Sequence, residues 1–154
     1  MKSPAELTEL FRARGLKVTP QRQCIFQVLD GNAVHPTAEA VHAAAASQMP
    51  TISLKTVYQT LNDLAAMGEI QMLDVGTGST RFDPNVDGHH HLVCNGCGKV
   101  RDLYVHPRVR VPADQLGGFT ISSTEVVIRG VCDDCSGTTR AATTPTTTTG
   151  EAHA

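Results

Sequence analysis

Apolar positions recur at helical spacing through the first half of the chain and then give way to alternation. Residues 5–14 place Leu7, Leu10 and Phe11 on one face, with Gly15 as a stop, which predicts a short amphipathic helix. Thr19-Pro20-Gln21 reads as a helix start, Thr as N-cap and Pro at the first helical position. The helix that follows turns Ile25, Phe26, Val28 and Leu29 inward and ends near Gly31. Thr37 can cap a third helix with Ala38, Val41 and Ala45 as its apolar stripe, closing before Pro50. Ser53 caps a fourth over residues 54–67, burying Val57, Leu61 and Leu64 and ending at Gly68. Residues 70–73 and 80–82 then flank a turn-rich stretch, Asp74 to Gly78, and predict a β-hairpin. Helices followed by a two-stranded wing make a winged helix-turn-helix.

From His89 the pattern predicts strands over residues 89–94, 100–105, 119–121 and 125–131. Residues 107–118 have room for a helical turn or two, limited by Pro112. Beyond Gly137 no large apolar residue appears, so a disordered tail is expected. The expected fold class is α+β. A winged-helix DNA-binding domain over 1–83 is followed by a hinge at 84–88, a small α/β dimerisation domain over 89–136 and a tail over 137–154.

Composition narrows the class. At 154 residues the chain holds one medium domain or two small ones, and a structural metal would help the weaker of two. A formal charge of −2 argues against a globally basic nucleic-acid binder, though a local patch can still hold DNA. The start MKSPAELTELFRARG lacks an apolar signal core, and no stretch approaches a membrane span. A cytoplasmic location is therefore expected, where paired cysteines more often hold metal than form disulfides.

Four of the five cysteines form two Cys-x-x-Cys pairs, Cys94/Cys97 and Cys132/Cys135. Two such turns complete a tetrahedral sulfur shell suited to structural Zn²⁺. The other readings are two disulfides, each closing a short strained ring, or unliganded buried thiols. Cys24 stands alone in the second helix and reads as a small buried hydrophobe, the alternative being a thiol switch with no resolving cysteine near it in sequence.

On a strand, His89 and His91 share a face while His90 points away. Alone, these could be exposed histidines on an edge strand. Asp83 at the exit of the wing, Asp102 on the next strand and His35 beside Pro36 converge with them. Three imidazoles and two carboxylates are too hard and too numerous for a structural zinc site, and suit Fe²⁺ or Mn²⁺. Such ligands would come from both halves of the chain, so occupancy would bias the relative orientation of those halves.

Together the segments LKVTPQR, HPTAEAV, ISLKTVYQTLNDL, STRFD, HHHLVCNGCGKVRD and GVCDDC resemble the ferric-uptake-regulator superfamily of metal-dependent bacterial repressors. The resemblance spans residues 5–136, with the motifs in the family's order. It implies a winged helix joined to an α/β dimerisation domain, and a homodimer on a double-stranded operator of AT-rich inverted-repeat type. It assigns structural zinc to Cys94, Cys97, Cys132 and Cys135, and the regulatory metal to His35, Asp83, His89, His91 and Asp102. Aspartate at both carboxylate positions resembles the peroxide-sensing branch, where iron-sensing members more often carry glutamate. In that branch bound Fe²⁺ reduces H₂O₂, a ligating histidine is oxidised, here His89 or His91, and DNA is released. That makes a sensor and not a turnover enzyme. A further metal site of iron-sensing members is expected to be absent or weak, since its places hold His90 and Thr124. The segment between Asp102 and Phe119 is also shorter than the family's usual helix.

For DNA, the start of the fourth helix is where a helix-turn-helix places its reading residues. Lys55 and Thr56 can hold phosphates, and Tyr58 and Gln59 can reach base edges, unless Tyr58 packs into the core. The resemblance puts Tyr58 against DNA and Lys17 in the minor groove, and Arg22 is expected on a phosphate. Arg12 and Arg14 could equally be a solvated face. The leading expectation is a peroxide-stress repressor, with targets such as catalase implied by the resemblance alone. An iron- or manganese-responsive repressor of metal uptake is the alternative. A hydrolase or oxygenase at the His/Asp cluster would leave the helix-turn-helix unexplained.

Overall fold

A computed structural model describes residues 1–76 and 78–137. Four helices come first: α1 (Pro4–Ala13), α2 (Pro20–Leu29), α3 (Ala38–Gln48) and α4 (Leu54–Ala66). Each starts at a hydroxyl cap that satisfies an otherwise orphaned N–H. Ser3 accepts from Glu6 N in a capping box, Thr19 from Arg22 N, Thr37 from Ala40 N and Ser53 from Thr56 N. The apolar stripes meet in one core holding Leu7, Phe11, Ile25, Phe26, Leu29, Val41, Val57, Leu61 and Leu64. Phe11 and Phe26 pack edge to face at 4.9 Å between ring centroids.

The wing is an antiparallel pair, β1 (Gln71–Leu73) and β2 (Arg81–Asp83), in which Phe82 closes the helical core from below. The loop before α3 is stitched to β2: Phe82 N donates to the Pro36 carbonyl at 2.9 Å, and Arg81 Nη1 to the His35 carbonyl at 3.1 Å. That stitching holds His35 at φ 50°, a left-handed conformation that L-residues rarely adopt.

The second sheet has the order β4-β3-β5, with β3 (His90–Cys94) antiparallel to β4 (Val100–Leu103) and parallel to β5 (Val127–Gly130). A short helix, α5 (Asp133–Ser136), follows β5 and was not expected from the sequence. Leu73 and Val75 from the wing pack with Val93 and Val100 of this sheet in a second small core, which joins the two halves.

Several expected boundaries contract. β3 begins at His90, β4 stops at Leu103 and β5 starts at Val127. The strand expected over 119–121 does not form: Phe119 is 81% exposed, and β3 already has a partner on each side. Residues 107–118 hold only a 3-10 turn at Ala113–Gln115. Apart from Gly137, the expected tail lies outside the described residues, as does Thr77 within the wing turn.

Candidate metal centres and nucleic-acid interface

Cys94 ends β3, Cys97 lies in the turn after it, and Cys132 and Cys135 flank the start of α5. Backbone bonds bring the two turns together: Asn95 N donates to the Gly130 carbonyl at 2.7 Å, and Cys132 N to Cys94 Sγ at 3.3 Å. Gly96 suits this close approach, because a Cβ there would lie 3.0 Å from Cys135 Sγ and push that side chain aside. The four sulfurs fall within 4.8 Å of one another, and all four cysteines are free thiols. Cys97 Sγ and Cys132 Sγ are 3.7 Å apart. A disulfide needs about 2.05 Å. A tetrahedron with Zn–S bonds of about 2.3 Å has edges of about 3.8 Å, so the spacing suits zinc.

Charge follows the same logic. Backbone N–H groups of Cys132, Cys97 and Gly96 point at Cys94 and draw its thiol down to about 6, whereas contacts with Cys97, Cys132 and Cys94 push Cys135 up to about 12. Four crowded sulfurs cannot all ionise without a cation among them, and a bound Zn²⁺ would remove that conflict.

The second cluster lies between the halves. His35 comes from the loop before α3, Asp83 ends β2, His89 precedes β3, and His91 on β3 faces Asp102 across the β4 ladder. The five donor atoms lie within 4.8 Å of one another, and the side chains of His35, Asp83, His89 and His91 are almost fully buried. His35 Nε2 lies 2.8 Å from Asp102 Oδ1, and His89 Nε2 lies 2.9 Å from Asp83 Oδ2. Even so, His35 Nε2, Asp83 Oδ2 and Asp102 Oδ1 have no hydrogen-bond partner among the described residues. Their lone pairs converge on a common point and not on one another's protons, which is the arrangement a cation requires.

Two of the three rings are also held from behind, while His35 Nδ1 is buried without a partner among the described residues. His89 Nδ1 faces the Asp87 carbonyl at 2.8 Å and His91 Nδ1 faces Glu125 Oε1 at 3.2 Å. With those nitrogens as donors, each Nε2 turns a lone pair inward. Burial alone would raise the Asp83 carboxyl. Contacts with His35, the Asn85 N–H and the nearby His89 outweigh it and hold the group below its ordinary range. Asn85, Tyr104 and Glu125 carry no sequence signal, because their contacts depend on the finished fold.

On the helical face, Lys17, Lys55, Tyr58 and Gln59 are exposed and Thr56 is half-buried. Tyr58 is 41% exposed, which leaves its ring outside the core, and its hydroxyl donates to Glu39 at 2.7 Å. Arg22 does not stand as expected. Its guanidinium is buried against Phe11 and bonded to Asp63 at 2.6 Å and to the Lys17 carbonyl at 3.2 Å, so it ties α2 to α4 and is not free for a phosphate. Among the described residues no helix is long and apolar enough to cross a membrane.

A winged helix that shares a buried His₃Asp₂ cluster with a small cysteine-clustered sheet defines a class of metal-linked DNA-binding regulator. Residues 13–129 match the ferric uptake regulator family, and the chain belongs to it. It is 34% identical over 134 residues, 85% of this chain and 92% of the relative, to the "Peroxide operon regulator" of Bacillus subtilis strain 168. To the "Peroxide-responsive repressor PerR" of Staphylococcus epidermidis it is 35% identical over 80% of this chain and 84% of the relative. The fold is shared with the Helicobacter pylori ferric uptake regulator (TM-score 0.70, 20% identity, 88% of this chain and 93% of that one). It is shared too with a zinc-bound manganese uptake regulator (TM-score 0.63, 26% identity, 85% and 99%).

Proposed function

We propose that this chain is a metal-dependent DNA-binding repressor that responds to hydrogen peroxide through oxidation of a ligating histidine. The observation that carries the reading is the buried cluster of three inward-facing imidazoles and two aspartates, shared between the DNA-binding half and the sheet half. Hard oxygen donors beside imidazoles suit Fe²⁺ or Mn²⁺, and the all-sulfur shell suits Zn²⁺. His35, Asp83, His89, His91 and Asp102 would hold Fe²⁺, which would act as a one-electron relay between peroxide and the ring and be regenerated, so that the histidine is the net reductant.

The chain's own residues do the rest. A recess lined by Asn32, Asp83, Asn85 and Asp102 lies on the outer side of the two carboxylates, whose inward oxygens are buried, and is the side from which a small oxidant would approach. In net terms one oxygen atom passes from H₂O₂ to the ring of His89 or His91, and water is the other product. A ring altered in this way loses its inward donor, and the tie between β2 and β3 weakens. Exposed Leu92, Val105, Phe119, Ile121, Ile128 and Val131 give the sheet half an apolar surface suited to a second copy, consistent with a homodimer on DNA. Lys17, Lys55, Thr56, Tyr58 and Gln59 form the face offered to the operator.

Operator binding by one preparation, loaded with Fe²⁺ or Mn²⁺ and measured before and after dilute peroxide, tests this reading. Both forms should bind DNA, and only the Fe²⁺ form should lose it. If both survive peroxide, a metal-uptake repressor built on the same five ligands is the better account.

A further inference from the structure

We propose that Asn85 is a positioning residue that restricts Asp83 and Asp102 to one donor oxygen each, and in doing so sets the shape of the cation site. This rests on the reading that the His₃Asp₂ cluster binds a divalent cation. Asp83 Oδ1 accepts from the Asn85 backbone N–H at 2.8 Å. Asp102 Oδ2 accepts from Asn85 Nδ2 at 2.6 Å and from the Tyr104 hydroxyl at 3.2 Å. The other oxygen of each carboxylate, Asp83 Oδ2 and Asp102 Oδ1, is buried without a hydrogen-bond partner and faces the imidazoles. A carboxylate can give a metal one oxygen or two, and an oxygen already held by a donor is not free to swing inward.

Every polar group of Asn85 is used. Besides Asp102, Nδ2 reaches the Tyr104 oxygen at 2.6 Å, Oδ1 accepts from Asp87 N at 3.1 Å, and the Asn85 carbonyl accepts from Gln71 Nε2 at 3.1 Å. The Asp87 bond matters because the Asp87 carbonyl faces His89 Nδ1. One side chain and its backbone therefore govern three of the five ligands, on segments from both halves. Asparagine fits because it supplies two donors and an acceptor without charge. Aspartate would oppose Asp102, and alanine would leave Asp102 Oδ2 to Tyr104 alone.

The test uses the full-length zinc-loaded chain, with Asn85→Ala and Tyr104→Phe beside the unaltered protein. Mn²⁺ affinity is read by titration, and the Co²⁺ ligand-field spectrum reports the donor set. Zinc content and melting check that the rest of the fold is intact. Asn85→Ala should bind Mn²⁺ about 10- to 100-fold more weakly, the range for lost outer-shell partners, and should change the Co²⁺ bands while zinc and melting stay constant. Tyr104→Phe should give a smaller change in the same direction, and it decides the matter if Asn85→Ala does not fold. Affinity and spectrum like those of the unaltered protein in the folded variants would overturn the proposal. If the unaltered protein itself takes up no Mn²⁺ or Co²⁺ beyond its zinc, the cation-site reading fails, and the role of Asn85 with it.

Discussion

Cys97 and Tyr58 show how differently two exposed residues can matter. Cys97 is one quarter of a sulfur shell that ties the end of β3 to α5. Metal-binding free energy at such a site is folding free energy. Cys97→Ser should therefore cost one zinc per subunit and the dimer, checked by metal analysis and gel filtration; a zinc-free dimer with unchanged melting would refute the assignment. Tyr58 stands outside the core on α4 and is held by Glu39. Tyr58→Ala should leave melting unchanged and weaken operator binding by about 1–3 kcal/mol, the scale of a good base contact. Unfolding with normal residual binding would show that its ring is structural.

Among the elements, the four helices were legible because each carries its own start signal and its own apolar stripe, both local in sequence. Strands are less so, since alternation does not name a partner. Residues 119–121 alternate well, yet β3 is already flanked by β4 and β5, and the segment stays exposed. The same limit applies to polar contacts. The five candidate ligands of the mixed cluster stood out by residue type and position, whereas Asn85, Tyr104 and Glu125 make contacts that only the fold brings about. Arg22 shows the opposite error: a cation at a helix start invites a phosphate, but Asp63, 41 residues further along the chain in α4, claims it. Asp63→Ala should strand that buried guanidinium and lower stability by about 1–3 kcal/mol, measured by urea unfolding. A change near zero would mean that water solvates Arg22 freely.

Across the whole molecule, His35 and Asp83 belong to the winged-helix half and His89, His91 and Asp102 to the sheet half. The apolar bridge between the halves is small, with Leu73, Val75, Val93 and Val100 as its buried members. A cation held by both halves would therefore help to fix their orientation, and losing one ligand would shift a two-state balance. Moving such a balance from 1:99 to 99:1 takes about 5.5 kcal/mol of differential binding. On this mechanism His89 or His91 is the oxidised residue, and peptide mass analysis after dilute peroxide reads the change on the ring itself. With Fe²⁺ bound, the peptide containing His89 and His91 should gain the mass of one oxygen atom in step with loss of operator binding, and with Mn²⁺ bound it should gain none. Fe²⁺-loaded protein that releases DNA with that peptide unmodified, or keeps both its DNA and its mass, would contradict the account.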